Sequence, residues 1–263
     1  VPAFALLASA ASAQISYGTS NAVGDGWIRS YVQSSGGTPS RIGVQFNQAA
    51  LDAFAASPDS VNLLSLPGGA PPAFNHLMVD WNAHGHPGPG YDVPHFDFHF
   101  YFSSPAEVAA IPFGFAPAPI PSNFVAPGYI PDLVVVPQMG WHYLDSQAPE
   151  FSDPSKFTQT FIYGYYGGKM TFLEPMITLA ALQGGGTHVL NVRQPNYVQT
   201  AGYYPTRYGF SAADGLYEVF LDGLRLRAVT PVPEPATWGL AASALLAGVL
   251  VLRARRRAAA TAA

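Results

Sequence analysis

The feature that most limits what this chain can fold into is its punctuation: 26 glycines and 25 prolines stand among 263 residues. Proline gives no hydrogen to a ladder and breaks a helix interior, and glycine weakens both kinds of element. Long regular elements are therefore disfavoured, and short strands joined by many turns are expected. Aromatic residues, which suit strands, reach 13%. We expect a mainly β fold, a single antiparallel barrel- or sandwich-like domain with a few short helices, followed by a C-terminal transmembrane helix. Charged residues are only 11%, against roughly 25% in ordinary soluble domains. The net charge of −4 comes with thinly spread basic residues, so the basic face that nucleic acid requires is missing. No cysteine is present, which excludes disulfides, thiolate metal sites and cysteine nucleophiles.

Both ends read as targeting signals. Phe4, Leu6 and Leu7 are the remnant of an apolar region, and Ala11-Ser12-Ala13 is an A-x-A cleavage pattern before Gln14. Residues 1–13 are thus expected to be the end of a secretory signal peptide. At the other end, a Pro-rich lead-in from Pro231 precedes an apolar run of 17 residues, Ala236 to Leu252. As a helix this run spans about 25 Å, just enough for a bilayer. Arg253, Arg255, Arg256 and Arg257 follow it and orient the C-terminus to the cytoplasm. Val232, Pro233, Glu234 and Pro235, with the Ala-Thr-Trp-Gly-Leu that follows, resemble the PEP-CTERM sorting signal. The resemblance implies an exosortase-type processing enzyme as partner, acting near the Pro-Glu-Pro motif. It also implies an exported protein, anchored in the inner membrane before sorting and at the cell surface or outside the cell afterwards. Residues 14–230 are expected to form the secreted domain and 231–263 the sorting signal. A homo-oligomer is compatible with the chain.

Within the domain, Gly26 to Gln33 alternates like a strand and Arg41 to Phe46 like its partner. Asn47 is placed to cap a short helix over Gln48 to Phe54, and Ser104-Pro105-Ala106-Glu107 is a capping box. Phe157–Tyr166 and Lys169–Leu173 flank Gly167-Gly168, a pair suited to the positive φ of a two-residue hairpin. Further strands are expected at Thr187–Val192, Tyr203–Phe210 and Leu216–Leu221, and a long surface loop from Pro112 to Pro131.

The chemistry concentrates between His76 and His99, which hold five of the seven histidines. In Pro94-His95-Phe96-Asp97-Phe98-His99-Phe100-Tyr101, a strand would send the phenylalanines one way and His95, Asp97 and His99 the other. Such a row of imidazole and carboxylate, if buried, needs partners or a cation. His95 and His99 would lie about 13 Å apart on a regular strand, too far to share an ion without a bulge. His142 and Glu174 are the candidate ligands from elsewhere. A two-residue Gly-Gly turn would set Glu174 opposite Phe161, on the face of Phe172 and Met170. A divalent ion held by some subset of His95, Asp97, His99, His142 and Glu174 is therefore expected, with zinc, manganese, iron and nickel equally suited to nitrogen and oxygen donors. His84 and His86, in a Gly/Pro loop, read as structural or surface residues. No Ser-His-Asp signature, phosphate loop or H-E-x-x-H helix is present.

Trp81–Pro87, Pro94–Tyr101, Met139–Tyr143 and Glu174–Thr178 resemble signature blocks of an uncharacterised domain family of secreted bacterial proteins. The resemblance spans most of Gly26 to Arg227, implies no activity, and implies that the four blocks belong to one site. The strand-borne histidines also resemble those of the metal-binding cupin barrels, but cupins use H-x-H where this chain separates His95 and His99 by three residues. The expected function is accordingly a metal-binding β domain of unassigned activity on an exported, exosortase-sorted protein. A metal-dependent cupin-like barrel enzyme acting on a small molecule and a matrix or biofilm structural protein are the alternatives.

Overall fold

A computed structural model of the protein describes residues 13–115 and 119–229. The expected signal remnant up to Ser12 and the sorting tail, with its expected transmembrane helix, lie outside the described residues. Ala13, the expected last residue of the signal, already pairs with Ser35 in a strand. Among the described residues no helix is long and apolar enough to cross a membrane.

In chain order the strands begin with β1 (Ala13–Tyr17), β2 (Asn21–Val23), β3 (Gly26–Ser35), β4 (Thr38–Asn47) and β5 (Ser60–Ser65). The middle of the chain forms β6 (His76–Asn82), β7 (His95–Tyr101), β8 (Gly114–Phe115), β9 (Tyr129–Val136) and β10 (Gly140–Asp145). The last are β11 (Gln159–Tyr166), β12 (Lys169–Thr178), β13 (Gly186–Asn191), β14 (Gly202–Tyr204), β15 (Arg207–Ala213), β16 (Leu216–Asp222) and β17 (Arg225–Arg227). Short helices α1 (Gln48–Ala55), α2 (Pro105–Ala109), α3 (Pro149–Ser152) and α4 (Leu179–Gly184) punctuate them.

The strands form two antiparallel sheets and a small β14–β17 pair. One sheet runs β1-β3-β4-β16-β15-β13, with β2 also on β3; the other runs β5-β6-β7-β12-β11-β10-β9-β8. Neither closes, so the barrel alternative is overturned: β13 and β5 keep free edges. The two sheets share one apolar core, in which Phe46 of β4 meets Phe96 and Phe98 of β7 at ring separations of 5.9 and 6.4 Å. The architecture is that of a two-sheet sandwich.

Local signals act as their chemistry requires. Asn47 accepts from the Ala50 amide to start α1, and the Ser104–Glu107 capping box starts α2. Gly167 and Gly168 turn the β11–β12 hairpin with φ of 58° and 79°. The register beyond that turn differs from the expected one. A bulge at Thr171 separates the pairs Tyr165↔Met170 and Gly164↔Phe172, so Glu174 faces Ile162 instead of Phe161. The extra residue also reverses the faces: Met170 enters the main core, while Phe172 joins a separate cluster with Met78, Tyr101 and Val108. The strand expected over Tyr203–Phe210 is split at Pro205 into β14 and β15. The expected Pro112–Pro131 loop contains β8, a 3-10 turn at Ser122–Phe124 and the start of β9.

Candidate metal centre

β7 lies between β6 and β12, fully buried along its length. Phe96, Phe98 and Phe100 point into the sandwich core. His95, Asp97 and His99 occupy the alternate positions and therefore face away from the second sheet. β6 repeats the device: Leu77, Val79 and Trp81 face the core, and Asp80 and Asn82 share the outer side, paired with Asp97 and His95 respectively. On β12 the recorded pairs with β7 pass from Leu173↔Phe100 to Met176↔Asp97, so Glu174 sits beside His99. Pro175, inside this central strand, has no N–H to give and leaves the ladder open there.

His142 comes from β10, across Gly164 of β11. A Cβ at Gly164 would stand 2.1 Å from the Phe172 ring, so glycine is what lets that ring fill the space beside His142 and His99. The loop between β6 and β7 then folds back over the sheet. Gly85 takes φ +69°, where a Cβ would strike the Tyr91 carbonyl, and the His86 amide donates to that carbonyl at 2.9 Å. Tyr91 packs on Phe157, and His86 is carried down to Asp97.

Two groups of three result, and within each the donor atoms lie within 4.8 Å of one another. The first is His99, His142 and Glu174, all buried. His99 Nε2 is 3.6 Å from Glu174 Oε1, and His142 Nε2 is 3.5 Å from Glu174 Oε2. The other ring nitrogen of His99 contacts Asp80 Oδ2 at 3.0 Å, the carboxylate–imidazole arrangement that orients metal-bound histidines. His99 Nε2, His142 Nδ1 and Glu174 Oε2 form no hydrogen bond although no solvent reaches them. Buried polar atoms are almost always satisfied, so the unpaired His99 Nε2 and Glu174 Oε2, with His142 turning its other nitrogen to the same carboxylate, suit a cation.

The second group is His86, His95 and Asp97. His95 Nδ1 lies 2.7 Å from the Val93 carbonyl and His86 Nδ1 lies 3.1 Å from the Pro87 carbonyl. A carbonyl only accepts, so in each neutral ring the proton sits on Nδ1 and Nε2 offers a lone pair. Those lone pairs point at Asp97, His95 Nε2 at 3.1 Å from Oδ1 and His86 Nε2 at 3.4 Å from Oδ2. Lone pairs facing a carboxylate at this range repel unless a proton or a metal ion lies between them. Asn82 Nδ2 donates to Asp97 Oδ2 at 2.8 Å and fixes the carboxylate.

The electrostatics describe the same competition between protons and cations. Burial opposes charging His99, but Glu174 and Asp80 outweigh it and push its pKa up to about 9. Burial likewise opposes charge on His86, yet Asp97 raises it to about 9. Burial and the neighbouring His99 press His142 down to about 3. Burial raises Glu174 to about 8, with His99 opposing. Asp97 resists its burial because His86 and His95 hold it well below the usual carboxylate range. Carboxylates and imidazoles this strongly perturbed in one place make it the candidate functional site.

The five candidate ligands therefore do not share one centre. The unbulged β7 keeps His95 and His99 in separate groups, as the strand repeat requires. His86, expected to be structural or surface, belongs with Asp97, while His84 stays exposed. Asp80 was also missed, although the alternation of His76-Leu77-Met78-Val79-Asp80-Trp81-Asn82 carries the same signal as β7. Both groups open on one cavity of about 380 Å³, whose other wall includes Val134, Val136, Leu144, Ile162 and Met176.

The class defined by this geometry is a two-sheet β domain with a histidine–carboxylate centre on the outer face of one sheet. Residues 231–257 match the PEP-CTERM protein-sorting motif, a signal that supports export and sorting by an exosortase. No curated protein and no solved structure matches the chain.

Proposed function

We propose that this protein is an exosortase substrate whose secreted β domain, residues 14–230, binds a divalent transition metal. The observation that carries the metal reading is the buried trio of His99, His142 and Glu174: an imidazole nitrogen of each histidine stands 3.5–3.6 Å from a Glu174 oxygen, and His99 Nε2 and Glu174 Oε2 form no hydrogen bond. Two ligands on a tetrahedral ion, each about 2.0–2.1 Å from it, are separated by a similar span. Asp80 would orient His99, and the ion would act as a Lewis acid toward whatever enters the cavity. The cavity favours a small-molecule ligand at the metal over a purely structural role in a matrix, because a structural ion needs no adjoining space. Before processing, residues 236–252 would form the membrane anchor, with Arg253, Arg255, Arg256 and Arg257 on the cytoplasmic side.

The metal reading is tested by stripping the purified protein with chelator and adding zinc, manganese, iron or nickel in turn. At least one ion is expected to bind stoichiometrically and raise the melting temperature. A protein that stays metal-free with every ion and an unchanged melting temperature would overturn it. The sorting reading is tested with Glu234→Ala in a host carrying an exosortase: unprocessed protein should collect in the inner membrane, whereas normal release would refute it.

A further inference from the structure

We propose that the cavity is a two-ion site that takes a small monocarboxylate with an apolar body. This rests on the metal reading above and extends it to the second group and to the ligand. One ion sits at His99, His142 and Glu174, and another at His86, His95 and Asp97, because each trio converges independently and each holds a buried atom without a hydrogen bond, His99 Nε2 and Glu174 Oε2 in the first and Asp97 Oδ1 in the second.

Asp97 and His99 are successive outward residues of β7, so their Cα atoms lie about 6.6 Å apart. The side chains converge on one cavity, so the ions can stand closer than this repeat, at the ~3.5–4 Å of two-ion sites, where a carboxylate places one oxygen on each. Charge points the same way. Two divalent ions bring four positive charges, matched by the carboxylates of Asp80, Asp97, Asp132 and Glu174, so the loaded site is close to neutral and has no place for more than one added negative charge. Asp132, which also lines the cavity, disfavours a dianion such as phosphate. Opposite the ligand groups the wall is apolar, with Val134, Val136 and Leu144, and accepts a hydrocarbon body in preference to a hydrated one.

The test combines metal counting with ligand titration. Elemental analysis should find two ions per wild-type chain, one in His86→Ala and one in His142→Ala. Anomalous scattering from zinc-loaded wild-type crystals, which needs no variant to fold, should show two peaks, one at each trio. Titrated calorimetrically, hexanoate should bind the doubly loaded protein at least tenfold more tightly than His86→Ala, and more tightly than hexanol or inorganic phosphate. Wild-type protein without any ion would refute the metal reading itself. A single ion lost in both variants, or one anomalous peak, would leave that reading standing and overturn the two-ion site. Hexanoate binding that matches hexanol, is equalled by phosphate, or survives in His86→Ala would overturn the carboxylate assignment.

Discussion

Glu174 is the residue on which the buried trio turns, since both histidines approach its two oxygens. Glu174→Gln keeps the shape and removes the charge. We expect metal affinity to fall at least tenfold, measured by chelator competition, while the metal-free fold is retained. The same residues give a pH dependence of definite sign. The raised pKa values of His86 and His99, about 9 for each, mean that their stabilising contribution in metal-free protein is complete below 6.5 and lost as pH rises through 9. Metal binding needs both rings neutral, so its stabilisation grows across that same window. The rise in melting temperature on adding nickel should therefore increase between pH 6.5 and 9. A constant or shrinking rise would contradict ligation by these histidines.

At the scale of elements, two glycines hold the site in register. Gly167→Val forces a β-branched residue to φ near +58° and should destabilise by roughly 1–2 kcal/mol in denaturant titrations. Gly164→Ala drives a Cβ into the Phe172 ring, and should cost about 1–3 kcal/mol while weakening metal binding through His142. Equal metal affinity in that variant would mean that Phe172 does not position His142. How much of this was legible follows from the physics of each element. The outward row on β7 was readable because period-two alternation is local and the phenylalanines mark the opposite face. The bulge at Thr171 was not, because an inserted residue leaves the hydrophobic pattern of β12 plausible on either face and only the partner strand reveals the shift. His86 was hidden for another reason: its contact with Asp97 depends on a loop closing over the sheet, which no periodicity encodes.

For the whole molecule, the expectation of a mainly β fold rested on turn density and aromatic content, and these do not distinguish a closed sheet from two open ones. What separates the two here is pairing between strands far apart in the chain, such as β4 with β16. The compact unit ends at Val229. A chain ending there should unfold at the same denaturant midpoint as the longer protein in detergent, within about 1 kcal/mol. A larger loss would show that the tail contributes to the domain.

The candidate ligands are scattered over four stretches from His86 to Glu174, on the loop after β6, β7, β10 and β12. An unfolded chain would therefore have no such centre: only the completed sheet brings the donors together, and a chain that crossed a membrane unfolded would carry no ion bound there. Which metal the proposed centre takes up would then be decided by the compartment in which the sheet closes. There the identity of the cargo would report the ionic supply outside the cytoplasm, and protein made and folded inside a cytoplasm should arrive loaded with a different element.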